Sequence, residues 1–162
     1  MTTFSNSSYA DLASELSTVE AWLTSFGLNV APTRLGYYRR RLDALIASHA
    51  SGTIEEDFSG DEVTDFILMF GEFQELIYIQ RHLSQERHLG LPEKLRDIIG
   101  GPALTRGEAL ESAANHARNI LFELTLAATL VAAGFPLLPS GICDLCTSFE
   151  GRRVLIECKR PQ

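Results

Sequence analysis

The chain has only three cysteines in 162 residues, Cys143, Cys146 and Cys158, all within the last twenty positions. An odd number clustered at one end does not make a disulfide framework, so a reducing cytoplasm is the simplest home. Basic residues are also few: 14 Lys and Arg stand against 21 Asp and Glu, for a net charge of -7 and a pI near 5.1. A surface that coats nucleic acid by bulk electrostatics is therefore excluded. No basic region followed by an apolar stretch opens the chain, so no signal peptide is expected. The longest apolar run, residues 120–133, is interrupted by Glu123 and stopped by Gly134, which is too short and too charged to span a bilayer. Internal repeats and low-complexity segments are absent as well. What remains is a chain with 45% hydrophobic residues, enough to bury a core.

Helical spacing dominates the first 135 residues. Leu12, Leu16, Val19, Trp22, Leu23 and Phe26 predict a helix over residues 9–26, stopped by Gly27. A second helix starts at Ala31-Pro32-Thr33 and carries Leu35, Tyr38, Leu42, Leu45 and Ile46 on one stripe. Ser59-Gly60-Asp61-Glu62 reads as a capping box opening a third helix, with a stripe of Val63, Phe66, Ile67, Phe70, Phe73, Ile77 and Leu83. Residues 76–79 could form a strand if Gly71 broke this helix, but one long helix is expected. Leu91-Pro92 opens a short helix, and Gly100-Gly101-Pro102 breaks the chain. Thr105-Arg106-Gly107-Glu108 is a second capping box, and the helix it starts ends at Gly134 and Pro136. Two strands, residues 142–148 and 153–159, then flank a turn at Glu150-Gly151. The expected class is mainly α with a small C-terminal α/β unit, divided into a helical region 1–101 and a second region 102–162.

Charge placement marks the second region. Glu123 is the only charged residue between Arg118 and Asp144, and its neighbours are Leu121, Phe122, Leu124 and Leu126. A carboxylate on so apolar a helix is expected to be partly buried, which requires a lysine, a hydrogen-bond network or a metal ion to compensate. Arg118 and His116 are alternative partners. On the last strand Glu157 and Lys159 share one face, roughly 7 Å apart, while Val154, Ile156 and Cys158 take the other. The hairpin returns Asp144 to the neighbourhood of Glu157. Two such carboxylates suit Mg²⁺; the plainer reading is a surface hairpin with a salt bridge.

Asp144, twelve intervening residues, then Glu157-Cys158-Lys159 resembles the D…ExK signature of the PD-(D/E)xK, restriction-endonuclease-like nucleases. Glu123 resembles the glutamate that the first helix of these proteins often adds. The resemblance covers about residues 105–162 and implies a Mg²⁺- (or Mn²⁺-) dependent endonuclease acting on DNA. By resemblance Asp144 and Glu157 bind the metal, Glu123 completes its shell, and Lys159 positions or activates water. Cys143 stands where the family often has proline. The family's core continues with a further strand and helix after the motif, whereas Arg160-Pro161-Gln162 follow here. The implied core is thus incomplete, and a second copy or another chain is expected to cover its open sheet edge. The alternative function is a non-catalytic helical interaction or oligomerisation module.

Three further features carry less. Cys143, Cys146 and Cys158 fall short of the four ligands of structural zinc, and strand alternation sets the first two on opposite faces, so core packing is expected. Tyr37-Tyr38-Arg39-Arg40-Arg41 mixes aromatic and basic residues as nucleic-acid surfaces do. Arg39, Arg40, Arg41 and Arg160 are therefore candidate nucleic-acid contacts, against a plain reading in which Tyr38 and Leu42 face the core and the arginines face solvent.

Overall fold

A computed structural model describes residues 8–52, 60–86, 89–102 and 112–159. The described residues form five helices and a two-stranded antiparallel sheet at the C-terminal end. The helices are α1 (Tyr9–Ser25), α2 (Arg34–Ser51), α3 (Gly60–Leu83), α4 (Leu91–Gly100) and α5 (Ser112–Ala132). The strands are β1 (Leu145–Phe149) and β2 (Arg152–Ile156). None of these helices is long and apolar enough to cross a membrane. The two capping boxes expected at residues 59–62 and 105–108 lie outside the described residues, apart from the helical backbone at 60–62.

Local chemistry sets the observed ends. A capping box that the sequence reading passed over opens α1. The Asp11 N–H donates to Ser8 Oγ at 3.2 Å, and the Ser8 N–H donates to the Asp11 carboxylate at 2.9 Å. These bonds to Ser8 hold the Asp11 carboxyl below its usual range. Thr33 caps α2 with its side chain. At the end of α5, the Phe135 N–H donates to Leu130 O and the Gly134 N–H to Val131 O, a Schellman turn that needs the positive φ of Gly134.

One hydrophobic cluster unites the molecule, drawing on Leu16, Leu23 and Leu42 from the first helices and on Leu124, Ala128 and Leu145 from the last elements. Residues on both sides of position 101 contribute to it. As expected, α3 is a single helix, with no strand at 76–79. Phe73, Ile77 and Leu83 of the anticipated stripe are buried, but Val63 and Ile67 are exposed, and Met69, Leu76 and Ile79 join the core instead. The cause is that α1 and α5 both lie on α3, burying its later turns on more than one side.

Deep in the helical region lies an ion pair with no precedent in the apolar pattern. The Arg34 guanidinium donates to Glu72 at 2.5 Å, to Ile98 O at 2.8 Å and to Pro102 O at 2.7 Å, so one side chain joins α2, α3 and the end of α4. Both side chains are almost fully buried, at 1% and 2% exposure. Gly101 makes room for it: a Cβ there would sit 2.8 Å from the Ala117 Cβ and 3.3 Å from Arg34 Nη1.

Candidate functional site

Glu150 and Gly151 both take positive φ, as a two-residue hairpin turn with right-handed strand twist requires. They set the register Phe149–Arg152, Thr147–Val154 and Leu145–Ile156. On its other side β1 is bridged at Thr147 to Leu137, and the Leu138 N–H donates to Cys146 O at 2.8 Å. The strands are shorter than the sequence predicts. Asp144, Glu157 and Lys159 lie just beyond their ends instead of within them. In place of a further main-chain rung, the Asp144 carboxylate accepts the Cys158 N–H at 2.6 Å, so a side chain closes the open end of the hairpin.

Alternation beyond β2 holds as expected. Ile156 and Cys158 pack against the core, while Glu157 and Lys159 are exposed. Glu123, only 9% exposed, sits on the face of α5 turned towards the rest of the fold. Its compensation is a lysine: Lys94 of α4 pairs with Glu123 Oε1. Of the alternative partners, His116 lies 3.4 Å from Asp97 instead. Lys94 escaped the sequence reading. Its signal is a cation within the apolar stripe of a short helix, three residues after Leu91 and four before Ile98.

Three carboxylates meet electrostatically at Cys158. Burial first, then Asp144 and Glu123, and lastly Glu157 push its thiol up to about 11, with Lys94 acting in the opposite direction. Their charges reach that thiol from α5 and from both sides of the hairpin, but only Asp144 bonds the Cys158 backbone directly. Among the described residues, Asp144, Glu157 and Lys159 form no ion pair with one another. Among the described residues no three His, Cys, Asp or Glu side chains are arranged to hold a metal ion. Glu123 is held by Lys94, and the Cys158 thiol remains protonated near neutral pH, a poor ligand form. Asp144 and Glu157 remain as hard oxygen donors at one end of the hairpin. Such a pair fits Mg²⁺ chemistry, since that ion commonly takes one or two carboxylates and completes its shell with water and phosphate oxygen.

The arginines of α2 make local contacts. Arg39 bonds Asp43 at 3.0 Å, Glu20 at 3.3 Å and Ser17 at 2.9 Å. Arg40 donates to Ala31 O at 3.1 Å, and Arg41 donates to the Tyr37 hydroxyl at 3.1 Å and lies over the Phe66 ring. Tyr38 and Leu42 face the core. Arg160 lies outside the described residues. Cys146 is buried, Cys143 and Cys158 are partly so, and all three are free thiols.

No family model matches the chain, and no curated protein or solved structure resembles it closely enough to match.

Proposed function

We propose that the open end of the hairpin is a Mg²⁺-dependent phosphodiester hydrolase site acting on DNA, in a protein of the cytoplasm. The observation that carries this reading is the placement of Asp144 and Glu157 together at the open end of the hairpin, just beyond the strand ends, where the Asp144 carboxylate accepts the Cys158 N–H at 2.6 Å. Asp144 and Glu157 would hold Mg²⁺ or Mn²⁺. When bound, such an ion polarises the scissile phosphate and lowers the pKa of its water. Lys159, two residues after Glu157, brings a positive charge to the same exposed end, where it offsets charge developing on the phosphate or the attacking oxygen. Glu123 acts from beneath: its pair with Lys94 ties α4 to α5 under the hairpin.

The test is incubation of plasmid DNA with the protein and Mg²⁺ or Mn²⁺, with and without chelator, beside Lys159→Ala and Asp144→Asn. Metal-dependent nicking or linearisation, lost on chelation and reduced at least about 100-fold in either variant, is the expected result. No cutting by the parent protein at any concentration refutes the reading.

A second reading is a non-catalytic helical interaction module. The Lys94–Glu123 pair favours it, because that carboxylate already has its cation. The same incubation decides, for a module leaves the plasmid intact.

A further inference from the structure

The outer edge of β2 has no partner among the described residues, and its main-chain groups can be oriented from two contacts. Cys146 gives its carbonyl to Leu138, away from β2, so at the Cys146–Leu155 position the ladder groups of both strands face outward. Cys158 turns its N–H back to Asp144, so the preceding Glu157 N–H also faces out. The alternation therefore presents the N–H and C=O groups of Arg153, Leu155 and Glu157 along the free edge.

Natural edges are usually blunted by proline, a bulge or a run of one charge. This one has an unbroken register and no proline. Its apolar side chains are uncovered: Leu155 is 51% exposed, and a cleft of about 380 Å³ beside it is lined by Pro139, Ile142 and Arg153. Ile142 is 78% exposed. The charges are symmetric about Leu155, with Arg153 two residues before it and Glu157 two residues after.

That symmetry identifies the occupant. We infer that β2 pairs antiparallel with β2 of a second copy of this chain, about a two-fold axis through Leu155. Leu155 then faces Leu155 of the second copy, and each Arg153 faces the second copy's Glu157. A two-fold axis perpendicular to the sheet permits only registers in which the paired residue numbers sum to an even value. Shifting the axis to Val154 sets Arg153 opposite leucine, and shifting it to Ile156 sets Glu157 there. Of these three axes, only that at Leu155 matches opposite charges twice within the strand's outward-facing residues. It also uses the outward main-chain groups, for about six hydrogen bonds. Arg153 already donates one bond to Pro139 O at 2.9 Å, which leaves the rest of its fork for the carboxylate. Pairing consumes the only free edge of β2, so the assembly closes at two copies.

This inference shares Glu157 with the hydrolase reading but does not rest on it, and it is tested without DNA or metal. Sedimentation velocity from about 1 µM to about 1 mM should show a monomer–dimer equilibrium with no larger species. Arg153→Glu alone and Glu157→Arg alone should each raise the dissociation constant about 30-fold, since two pairs are lost at once. The double reversal Arg153→Glu/Glu157→Arg should restore it to within about threefold. These side chains are exposed, and circular dichroism checks that each variant keeps its helices. For the register, Leu155→Cys should crosslink to a covalent dimer under mild oxidation, and Val154→Cys should not. A monomer throughout the range, a dimer indifferent to single charge reversal, or crosslinking at 154 in place of 155 overturns the inference. So does strong hydrogen-exchange protection of the Leu155 amide in a monomer, which would mean the chain's own residues occupy the edge.

Discussion

Replacing Arg34 with methionine perturbs the structure at its most constrained point. The variant keeps the aliphatic stem and removes the guanidinium that serves Glu72, Ile98 O and Pro102 O. A buried carboxylate without its cation costs about 3–5 kcal/mol. That figure has a ceiling: Glu72 can take up a proton, and neutralising an ordinary carboxyl at pH 7 requires about 4 kcal/mol. Each carbonyl that loses its donor adds about 1 kcal/mol. The expected loss is about 4–6 kcal/mol, a large share of the 5–15 kcal/mol that stabilises a typical domain. Urea unfolding followed by circular dichroism should show the midpoint falling by about 2–3 M for a slope of about 2 kcal/mol/M. Arg34→Met/Glu72→Leu should recover at least half the loss, because a pair replaced together leaves no buried charge. A single-variant loss below about 1 kcal/mol, or a double variant as unstable as the sum of its singles, refutes the reasoning.

Two other outcomes follow from local geometry. A Cβ on Gly36 would lie 2.5 Å from the main-chain oxygens of both Val30 and Ala31, so Gly36→Ala should lose about 2–3 kcal/mol. At Gly71, where a Cβ meets nothing within 4 Å in mid-helix, Gly71→Ala should gain about 0.5–1 kcal/mol; thermal melts that rank the two the other way contradict the packing. Cys158, with its folded thiol raised to about 11 from an ordinary 9.0, binds its proton more tightly folded than unfolded. Stability should therefore fall as pH rises from about 9 to about 11 and level off beyond, and Cys158→Ala should remove that component. A parent and variant with superimposable alkaline denaturation profiles would contradict it.

The helices were legible because their signals are local. Leu12, Leu16 and Val19 repeat at helical spacing, and Gly27 and Gly134 stop the chain where only a positive φ completes the turn. The hairpin was legible for the same reason, since Glu150-Gly151 fixes its own turn. The charged interior was not. Arg34 reaches Glu72 and two carbonyls across the chain, and Lys94 reaches Glu123, pairings set by how α2, α3, α4 and α5 assemble and by no nearby residue. Among the candidate site residues, the placement of Glu123 on a buried face followed from its apolar neighbours. The exposed positions of Glu157 and Lys159 followed from alternation. The Asp144 bond to Cys158 did not, because it depends on β1 starting and β2 ending three residues inside the expected bounds.

The strap between α5 and β1 has a consequence in chain statistics. Phe135 bonds back to Leu130, Thr147 Oγ1 donates to Pro136 O across 11 residues, and Cys158 bonds Asp144 across 14. Arg34 closes its contacts across 38, 64 and 68 residues. Loop-closure entropy makes each of those longer closures about 1–2 kcal/mol more demanding. The helix–hairpin unit can therefore assemble from its own sequence neighbourhood, while the helical layer has to be nearly complete before its central arginine gains anything from being buried.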